Sequence, residues 1–311
     1  MKKKVLAGVL AAMTMVSMAG CGTSSSGSSA SSSTAAEAAS AAEASADTAT
    51  ASAAATADAT AASADVADSD VAYIKDKGTL IVGITDFEPM DYKDDSGNWI
   101  GFDADLAAKV AEDLGVEVQF EEIDWDNKIL ELKNKSIDCV WNGMTLTDEV
   151  TKSMNCTRAY CNNAQVVVVK SSDADKYKDV DSLKNLKFAV EEGSAGEKAA
   201  KADGLNYTSL SSQADTLMEV QSGTSDASII DLLMAGAMVG DGTSYPDLTH
   251  TVELTTEKYG VGCRQNSDLT DYINQEFTKL YSDGTMEKIA EKYGVQDALI
   301  PQDGSESGTE S

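Results

Sequence analysis

The segment Thr79-Leu-Ile-Val-Gly-Ile84 is a short apolar run of the kind that forms a strand. A helix is predicted after it, because apolar residues recur every four positions from Leu106 to Leu114. Asp103 is the expected N-cap of this helix and Gly115 its expected stop. The alternation continues with strands predicted at Glu117–Ile123 and Ile137–Trp141 and a helix at Asn127–Lys133. Repeated β-α-β units predict a largely parallel sheet covered by helices.

A second series of strands and helices follows residue 160. Gln165–Lys170 is a continuous β-branched run, which is typical of a buried strand. Strands are also predicted at Lys187–Val190, Ala227–Ile230 and Tyr259–Cys263, and helices after the turn at 193–196 and at Ser212–Gln221, Leu232–Met238, Leu269–Tyr281 and Met286–Lys292. The fold class is therefore α/β. Open α/β sheets bind ligands at the carboxyl ends of their strands, so we expect the functional residues there.

The N-terminus has the pattern of a bacterial export signal. Three lysines precede the mainly apolar stretch Val5–Met18. This stretch is shorter than the ~20 residues that span a bilayer, so residues 1–20 are predicted to be a cleaved signal peptide. Met18-Ala19-Gly20-Cys21 resembles a lipobox, which implies a diacylglyceryl group on Cys21 and an amide-linked acyl chain such as palmitate. An ordinary secretory signal with cleavage nearby is the alternative.

Residues 21–70 are almost wholly Ser, Ala, Thr, Gly and acidic residues. Such a segment has too few large apolar side chains to offset the conformational entropy that it would lose on folding. We therefore predict a flexible linker between the lipidated cysteine and a folded part that begins near Val71. Residues 302–311 are predicted to be a disordered acidic tail.

The chain is strongly acidic, with a net charge of −28 at pH 7. Most of this charge lies between the linker and the tail. A domain of this charge is unsuited to phosphate backbones, so nucleic-acid binding is excluded. The excess of carboxylates favours cationic solutes instead. The sequence has no Gly-x4-Gly-Lys-Ser/Thr motif, so any associated ATP hydrolysis belongs to another protein.

Four cysteines follow Cys21 in the chain, namely Cys139, Cys156, Cys161 and Cys263. They lack the CxxC spacing of metal sites, so we expect no metal and no other cofactor. Cys156 and Cys161 could pair. Cys139, however, lies in a predicted core strand, where free thiols are common. No structural disulfide is therefore expected.

A set of motifs runs through residues 71–301. They are Gly78-Thr-Leu-Ile-Val-Gly, Pro89, Gly101-Phe-Asp-Ala-Asp-Leu, Trp125, Met144-Thr-Leu-Thr-Asp-Glu, Ala159-Tyr160, Glu192-Gly-Ser-Ala-Gly-Glu, Ser225-Asp-Ala-Ser-Ile-Ile-Asp, Asp283-Gly-Thr and Lys292-Tyr-Gly. In this order they resemble the family 3 solute-binding proteins of polar amino-acid ABC importers. The resemblance implies the type II periplasmic-binding-protein fold, in which two α/β lobes joined by two crossing strands close on a small molecule. Lobe 1 is then expected at 71–160 and 259–301, and lobe 2, with the hinge strands, at 161–258.

The resemblance also implies ligand-binding residues in lobe 1. Phe87 and Trp125 correspond to aromatic rings that enclose the ligand, since flat apolar faces add contact area and attract cations. Asn142, Gly143 and Thr145 correspond to the segment that hydrogen-bonds the ligand. Asp86, beside Phe87, is expected to add negative charge near the opening.

Lobe 2 is expected to supply four further ligand-binding residues. Asp231 corresponds to the family carboxylate that binds the α-ammonium group of the ligand. Glu191 occupies a position that can reach the ligand side chain. Ser194 and Ala195 correspond to a turn whose amides meet the ligand carboxylate at a helix N-terminus. Ala195 stands where Thr is frequent in the family, which removes one donor.

One departure from the family pattern concerns the ligand carboxylate. The arginine that binds it in the family should fall at residue 150, where this chain has Val150. An aliphatic side chain cannot replace a bidentate arginine. Either another cation, such as Lys152 or Arg158, takes over this role, or the ligand is an amine without an α-carboxylate. The acidic residues Asp231 and Glu191 favour the second alternative.

The function implied is capture of a polar amino acid, or a related amine-bearing and cationic small molecule, outside the cytoplasm. Lobe closure is expected to be followed by delivery to an ABC permease that a separate ATPase powers. The protein is expected to be a monomer without enzymatic activity, held at the cell membrane by its lipid. Two alternatives are an enzyme on the same fold, similar to the cyclohexadienyl dehydratases, and a sensor that presents its ligand to a membrane receptor.

Overall fold

The structure, a computed structural model, describes residues 69–303. The predicted signal peptide, the predicted lipidation site Cys21, the linker as far as residue 68 and the tail from residue 304 lie outside the described residues. Among the residues that are described, no helix is both long enough and apolar enough to cross a membrane.

Strands and helices alternate along the described chain. The strands are β1 (Thr79–Ile84), β2 (Tyr92–Lys93), β3 (Trp99–Ile100), β4 (Glu117–Glu122), β5 (Cys139–Val140), β6 (Asn155–Cys156), β7 (Cys161–Lys170), β8 (Lys187–Glu191), β9 (Asn206–Leu210), β10 (Ala227–Asp231), β11 (Leu248–Tyr259) and β12 (Gly262–Cys263). The helices are α1 (Asp70–Lys77), α2 (Phe102–Leu114), α3 (Lys128–Lys133), α4 (Asp148–Ser153), α5 (Val180–Leu183), α6 (Ala195–Ala202), α7 (Gln213–Ser222), α8 (Leu232–Met238), α9 (Leu269–Ser282) and α10 (Thr285–Tyr293). This alternation is the pattern of an α/β protein.

The first sheet has the strand order β4-β1-β5-β12-β6. β1 is parallel to β4 and β5, whereas β12 is antiparallel to β5 and β6. Helices α1 to α4, α9 and α10 pack on this sheet or on one another. We call this sheet and its helices lobe 1.

The second sheet has the order β11-β7-β10-β8-β9. β8 is parallel to β9 and β10, whereas β7 is antiparallel to β10 and β11. Helices α6, α7 and α8 pack on this sheet, and its core includes Val167 and Val169 of β7. We call this sheet and its helices lobe 2.

Two neighbouring strands connect the lobes. β7 leaves lobe 1 at Cys161, and β11 returns to it at Tyr259, the residue that pairs with Cys161. The pairing extends into lobe 1, where the Tyr160 amide donates to the Tyr259 carbonyl at 3.0 Å. The predicted lobe boundaries lie at this point of the chain, and the exact division stays a prediction.

The strands from which a largely parallel sheet was predicted, β1, β4 and β5, are parallel. Each complete sheet is mixed, because β12 in the first sheet and β7 in the second run antiparallel to their neighbours. The expected N-cap of α2 was wrong. Asp103 does not cap α2, which begins after Gly101. Its carboxylate turns inward and accepts hydrogen bonds from the Gly143 amide at 2.6 Å and the Tyr160 hydroxyl at 2.7 Å.

The folded part is longer at both ends than the sequence predicted. Ser69 and Asp70, assigned to the linker, are ordered with α1: Ser69 caps the helix and Asp70 forms an ion pair with Arg264 at 3.0 Å. Gln302, assigned to the tail, is buried and accepts from Arg158 Nε at 2.6 Å. A polar residue beside a low-complexity segment gives no sign in the sequence of such a distant partner.

The four cysteines of the described chain are free thiols. Cys139 and Cys263 lie opposite each other on β5 and β12, and both are buried. Cys156 and Cys161, the pair considered from sequence, begin or end different strands and are not bonded.

Candidate functional site

Lobe 1 and lobe 2 face each other across a narrow cleft. All the predicted site residues except Asp86 line this cleft. The cleft is closed, since the cavity between the lobes has a volume of about 20 Å³. This volume holds about one water molecule, so a solute enters only when the lobes separate.

Two aromatic side chains lie on the lobe 1 side. Phe87 follows β1 and Trp125 follows β4, and these two strands are parallel neighbours. The carboxyl ends of parallel strands meet at one edge of a sheet, which is why both rings reach the cleft. Phe87 is buried, and its ring meets that of Tyr259 edge to face with 6.3 Å between the centroids.

The Asn142 side chain makes all its hydrogen bonds within lobe 1. Its Oδ1 accepts from the backbone amide of Thr85 at 3.0 Å and from the Thr85 hydroxyl at 2.8 Å. Its Nδ2 donates to the Thr85 carbonyl at 3.0 Å and to Asp91 Oδ2 at 2.8 Å. Two donors and two acceptors are the full capacity of an amide side chain. Asn142 therefore positions residues 142–145, which line the cleft, and none of its side-chain polar atoms remains available to a ligand.

Gly143 and Thr145, which follow Asn142, also form hydrogen bonds within the protein. The Gly143 amide donates to Asp103, as described above. Burial raises the pKa of Asp103 to about 7, and the hydrogen bond from Tyr160 lowers it in part. The Thr145 hydroxyl donates to Glu257 Oε1 at 2.9 Å, which ties the segment to the connecting strand β11.

Helix α6 begins at the lobe 2 side of the cleft. Ser194 is its N-cap and accepts from the Glu197 amide at 3.0 Å, while Glu197 Oε2 accepts from the Gly193 amide at 2.8 Å. Ala195 is the first residue of the helix. A capped N-terminus in this position favours negative charge in the cleft.

Asp231 ends β10 and is surrounded by neutral donors. Its Oδ1 accepts hydrogen bonds from Asn163 Nδ2, from Gln165 Nε2 at 3.0 Å and from Tyr259 OH at 2.6 Å. Its Oδ2 accepts from Gln213 Nε2 at 2.6 Å. Burial, followed by the nearby charge of Glu257, raises the pKa of Asp231 well above its usual range. Oδ2 receives one of these hydrogen bonds and retains an acceptor position.

Glu191 ends β8, the strand next to β10, and its side chain is 2 % exposed. Its Oε1 has no hydrogen-bond partner among the described residues. Burial, followed by the charge of Asp231, raises the pKa of Glu191 to about 8. An unpartnered carboxyl oxygen in a closed cleft marks a position where a donor is required.

Lys128 is a buried cleft residue that the sequence analysis missed, as it missed Gln213, which donates to Asp231. It begins α3 and is 5 % exposed, and its Nζ donates to the Trp125 carbonyl at 2.9 Å and, across the cleft, to the Gly193 carbonyl at 3.1 Å. The Nζ also lies 4.7 Å from the centroid of the Trp125 ring. Burial, followed by the charge of Lys198, lowers the pKa of Lys128 to about 8. The three-residue spacing from Trp125 was the available signal, since such residues share a helix face.

The cations proposed from sequence lie elsewhere. Lys152 is exposed and pairs with Asp148 at 2.8 Å. Arg158 contacts Gln302, Asn274 and Thr278. Neither side chain lines the cleft, whereas Val150 does.

Asp86 also lies outside the cleft. It lines a neighbouring groove between the lobes together with Glu121, Glu122 and Asp215. Burial, followed by the charge of Glu122, raises the pKa of Asp86.

Two contacts hold the lobes together at the edge of the cleft. Lys198 of α6 forms an ion pair with Glu149 of α4 at 2.7 Å. Gly193 lies directly against Asp126, and a Cβ atom on Gly193 would stand 2.7 Å from Asp126 Oδ1. Closure therefore depends on a small residue at position 193.

Residues 80–296 match the family model of the bacterial extracellular solute-binding proteins, family 3. The chain belongs to this family. The fold predicted from the motifs, two α/β lobes of the type II periplasmic-binding-protein kind, is thereby confirmed. The members of the family are solute-binding proteins.

Individual relatives of this solute-binding protein have moderate identity and long coverage. The L-cystine-binding protein TcyJ of Escherichia coli (strain K12) is 28% identical over 229 residues, which is 71% of this chain and 84% of the relative. The arginine-binding extracellular protein ArtP of Bacillus subtilis (strain 168) is 30% identical over 229 residues, which is 70% of this chain and 86% of the relative. The crystal structure of the ancestral amino acid-binding protein AncCDT-1, a precursor of cyclohexadienyl dehydratase, matches with a TM-score of 0.67 at 32% identity, over 72% of this chain and 99% of that one.

The pKa of Glu191 predicts how the stability of the ligand-free solute-binding protein depends on pH. Between the ordinary pKa of Glu, about 4, and its value of about 8 in the folded state, the folded protein holds a proton that the unfolded chain has released. The free energy of unfolding should therefore fall as pH rises from 5 to 8, by up to about 1.4 kcal/mol per pH unit for this group. Asp231 and Asp103 act in the same direction.

Urea unfolding of Glu191→Gln at pH 5, 6, 7 and 8 checks this prediction. The dependence on pH should become flatter in this variant, because a neutral amide does not titrate. Glu192→Gln, a change at the exposed neighbouring residue, is the matched control and should keep the slope of the unmodified protein. Equal slopes in all three proteins would contradict the prediction.

Proposed function

We propose that this protein captures a polar amino acid, or a related amine-bearing small molecule, and delivers it to an ABC permease that a separate ATPase powers. The observation that carries this proposal is the closed cleft, in which aromatic rings of lobe 1 face the buried carboxyl groups Glu191 and Asp231 of lobe 2. Buried charges are stable only with a partner of opposite charge. An ammonium group between the lobes supplies one, and closure then removes both charges from water.

The proposed ligand contacts follow from the same geometry. Phe87 and Trp125 would cover the apolar part of the solute, and the start of α6 at Ser194 and Ala195 would face its negative group. Glu191 and Asp231 would face its positive group. Asn142 and Gly143 would shape the site through their own hydrogen bonds, and Thr145 would turn from Glu257 toward the solute when the lobes open.

A thermal-shift screen of the full-length protein in detergent tests the proposed function. The twenty L-amino acids and their decarboxylated amines are each added in excess, and the midpoint of unfolding is measured. A ligand that binds only the folded state raises this midpoint, because it adds to the free energy of unfolding. At a ligand concentration of 100 Kd the added stability is about 2.7 kcal/mol. If none of these compounds raises the midpoint, the proposed function is wrong.

Chemistry in the cleft is the weaker alternative, in line with the dehydratase lineage of which AncCDT-1 is a precursor. Glu191, with its raised pKa and free oxygen, is the residue that could exchange a proton with a solute. Recovery of the bound compound unchanged after prolonged incubation, as measured by mass spectrometry, would contradict this alternative.

A sensor that presents its ligand to a membrane receptor is the other alternative. For a sensor, deletion of the gene abolishes a signalling response, whereas for an importer it abolishes uptake of the solute.

We also propose that Cys21 carries the lipid that holds the protein, as a monomer, on the outer face of the membrane. Two or three acyl chains anchor a protein stably, whereas a protein without them is released. In a bacterial host, Cys21→Ser should move most of the protein from the membrane fraction to the soluble fraction, as measured by immunoblotting. Cys156→Ser is the control and should remain in the membrane fraction. A Cys21→Ser protein that also remains there would contradict the lipid anchor.

A further inference from the structure

The charges of the cleft define what a solute must bring, if the proposed function holds. On the lobe 2 side, Glu191 and Asp231 are buried and form no ion pair within the described part of the chain. Glu257, half-buried behind Asp231, adds negative charge to the same side. Lys128 is buried on the lobe 1 side, and Lys198 of lobe 2 is already paired with Glu149 of lobe 1. The closed cleft therefore holds more buried carboxyl groups than ammonium groups.

Lys128 is suited to a carboxylate. Its Nζ donates to two backbone carbonyls, which leaves its third N–H without an acceptor in the described structure. Neither carbonyl carries a charge that would neutralise the ammonium group, and burial, followed by the charge of Lys198, lowers the pKa of Lys128. A ligand carboxylate at this position would accept the third hydrogen bond and compensate the charge.

Glu191 and Asp231 are each suited to a cationic group. Glu191 offers Oε1, which has no partner, and Asp231 offers the open acceptor position on Oδ2. The two residues lie at the ends of the neighbouring parallel strands β8 and β10. Two separate cationic groups on one ligand could therefore reach both carboxylates.

We propose that the cleft selects an α-amino acid of net charge +1, whose carboxylate binds Lys128 and whose two cationic groups bind Glu191 and Asp231. Lys128 thereby takes over the role of the arginine that is absent at Val150. This ligand differs from the amine without a carboxylate that the sequence favoured, because Lys128 provides the cation that the sequence did not reveal.

Isothermal titration of the full-length protein in detergent tests the charge requirement. The probes are L-arginine and L-lysine, then L-citrulline as the uncharged counterpart of arginine, and agmatine and cadaverine as the decarboxylated amines. At least one basic amino acid should bind. Loss of one buried charged contact corresponds to a factor of about 30 or more in Kd. Citrulline and the decarboxylated amines should therefore bind at least about 30-fold more weakly than the corresponding basic amino acid.

The variants assign the contacts. Lys128→Met should bring the affinity for the basic amino acid down to that for its decarboxylated amine, whereas Lys128→Arg should keep the difference. Lys152→Met, which removes an exposed lysine, should behave as the unmodified protein does. Glu191→Gln should reduce the preference for arginine over citrulline. If Lys128→Met does not fold, the probe series on the unmodified protein still decides the charge requirement.

The possible failures are distinguishable. Binding of a neutral amino acid from the thermal-shift screen, without binding of a basic one, would overturn this inference and leave the proposed function intact. Agmatine or cadaverine binding as tightly as the parent amino acid would overturn the carboxylate contact. If no amino acid or amine binds, the proposed function itself is wrong.

Discussion

Gly193→Ala is expected to weaken ligand binding by about 10- to 100-fold, in addition to the about 1–2 kcal/mol of stability that its left-handed backbone conformation costs the protein. A Cβ atom on this residue of lobe 2 would stand 2.7 Å from Asp126 Oδ1 and 2.8 Å from Asp126 Cα, both in lobe 1. A backbone atom cannot move aside as a flexible side chain does. The overlap exists only when the lobes are closed, so the variant shifts the equilibrium toward the open form. Overpacking of this kind costs about 1–3 kcal/mol, and a cost in this range corresponds to the expected 10- to 100-fold increase in Kd.

Gly204→Ala is the control that distinguishes the effect of the overlap with Asp126 from the effect of backbone strain. Gly193 has φ +71° and Gly204 has φ +66°, so alanine is similarly strained at both positions, but a Cβ on Gly204 meets no atom within 4 Å. Both variants should lose similar stability in urea unfolding, and only Gly193→Ala should lose affinity in titration with the solute found by screening. Equal affinities for the two variants would show that this contact is not part of the ligand-bound form.

Gly101→Ala is expected to have the largest effect on stability, at least about 4 kcal/mol, or to prevent folding. Gly101 has φ +133°, and a Cβ atom there would lie 2.1 Å from the Met90 carbonyl oxygen. The residue stands at the start of α2, whose Asp103 holds the Gly143 amide in the cleft. Relief of the clash would require a shift of that helix or of the backbone at Met90. Losses above 4–5 kcal/mol are exceptional and indicate such a backbone conflict.

Gly97→Ala is the matched control for this second variant. Gly97 also has a positive φ, +82°, but a Cβ there would meet no atom within 4 Å. It should therefore cost only the strain of the left-handed conformation, about 1–2 kcal/mol. Urea unfolding followed by circular dichroism measures both. A loss for Gly101→Ala within about 1 kcal/mol of that for Gly97→Ala would contradict the described approach of the two backbone segments.

Part of the fold was predictable because several of its strands are recognisable one at a time, although β9 and most of β11 were not predicted. The apolar run Thr79–Ile84 is a strand with the predicted bounds, and the helix Leu232–Met238 is likewise as predicted. The direction of strand pairing was less accessible. β12 has two residues and enters the first sheet only after the chain has returned from lobe 2, so no local pattern reveals that it lies antiparallel beside β5.

The site was predictable where a residue follows a strand in the family pattern, as for Phe87, Trp125 and Asp231. It was less predictable where a polar group has a distant partner. Asn142 is expected to contact a ligand by its position, yet its amide is fully used by Thr85 and Asp91, some fifty residues earlier in the chain. The sequence analysis did not single out Lys128, because one of its two hydrogen-bond acceptors, the Gly193 carbonyl, lies 65 residues later in the chain.

The two ends of the described chain both lie on lobe 1. Ser69 and Asp70 are held by Asp268 and Arg264, and Gln302 is held by Arg158 and the Ala159 carbonyl. Motion of lobe 2 about the two connecting strands would therefore leave both ends of the described chain in place.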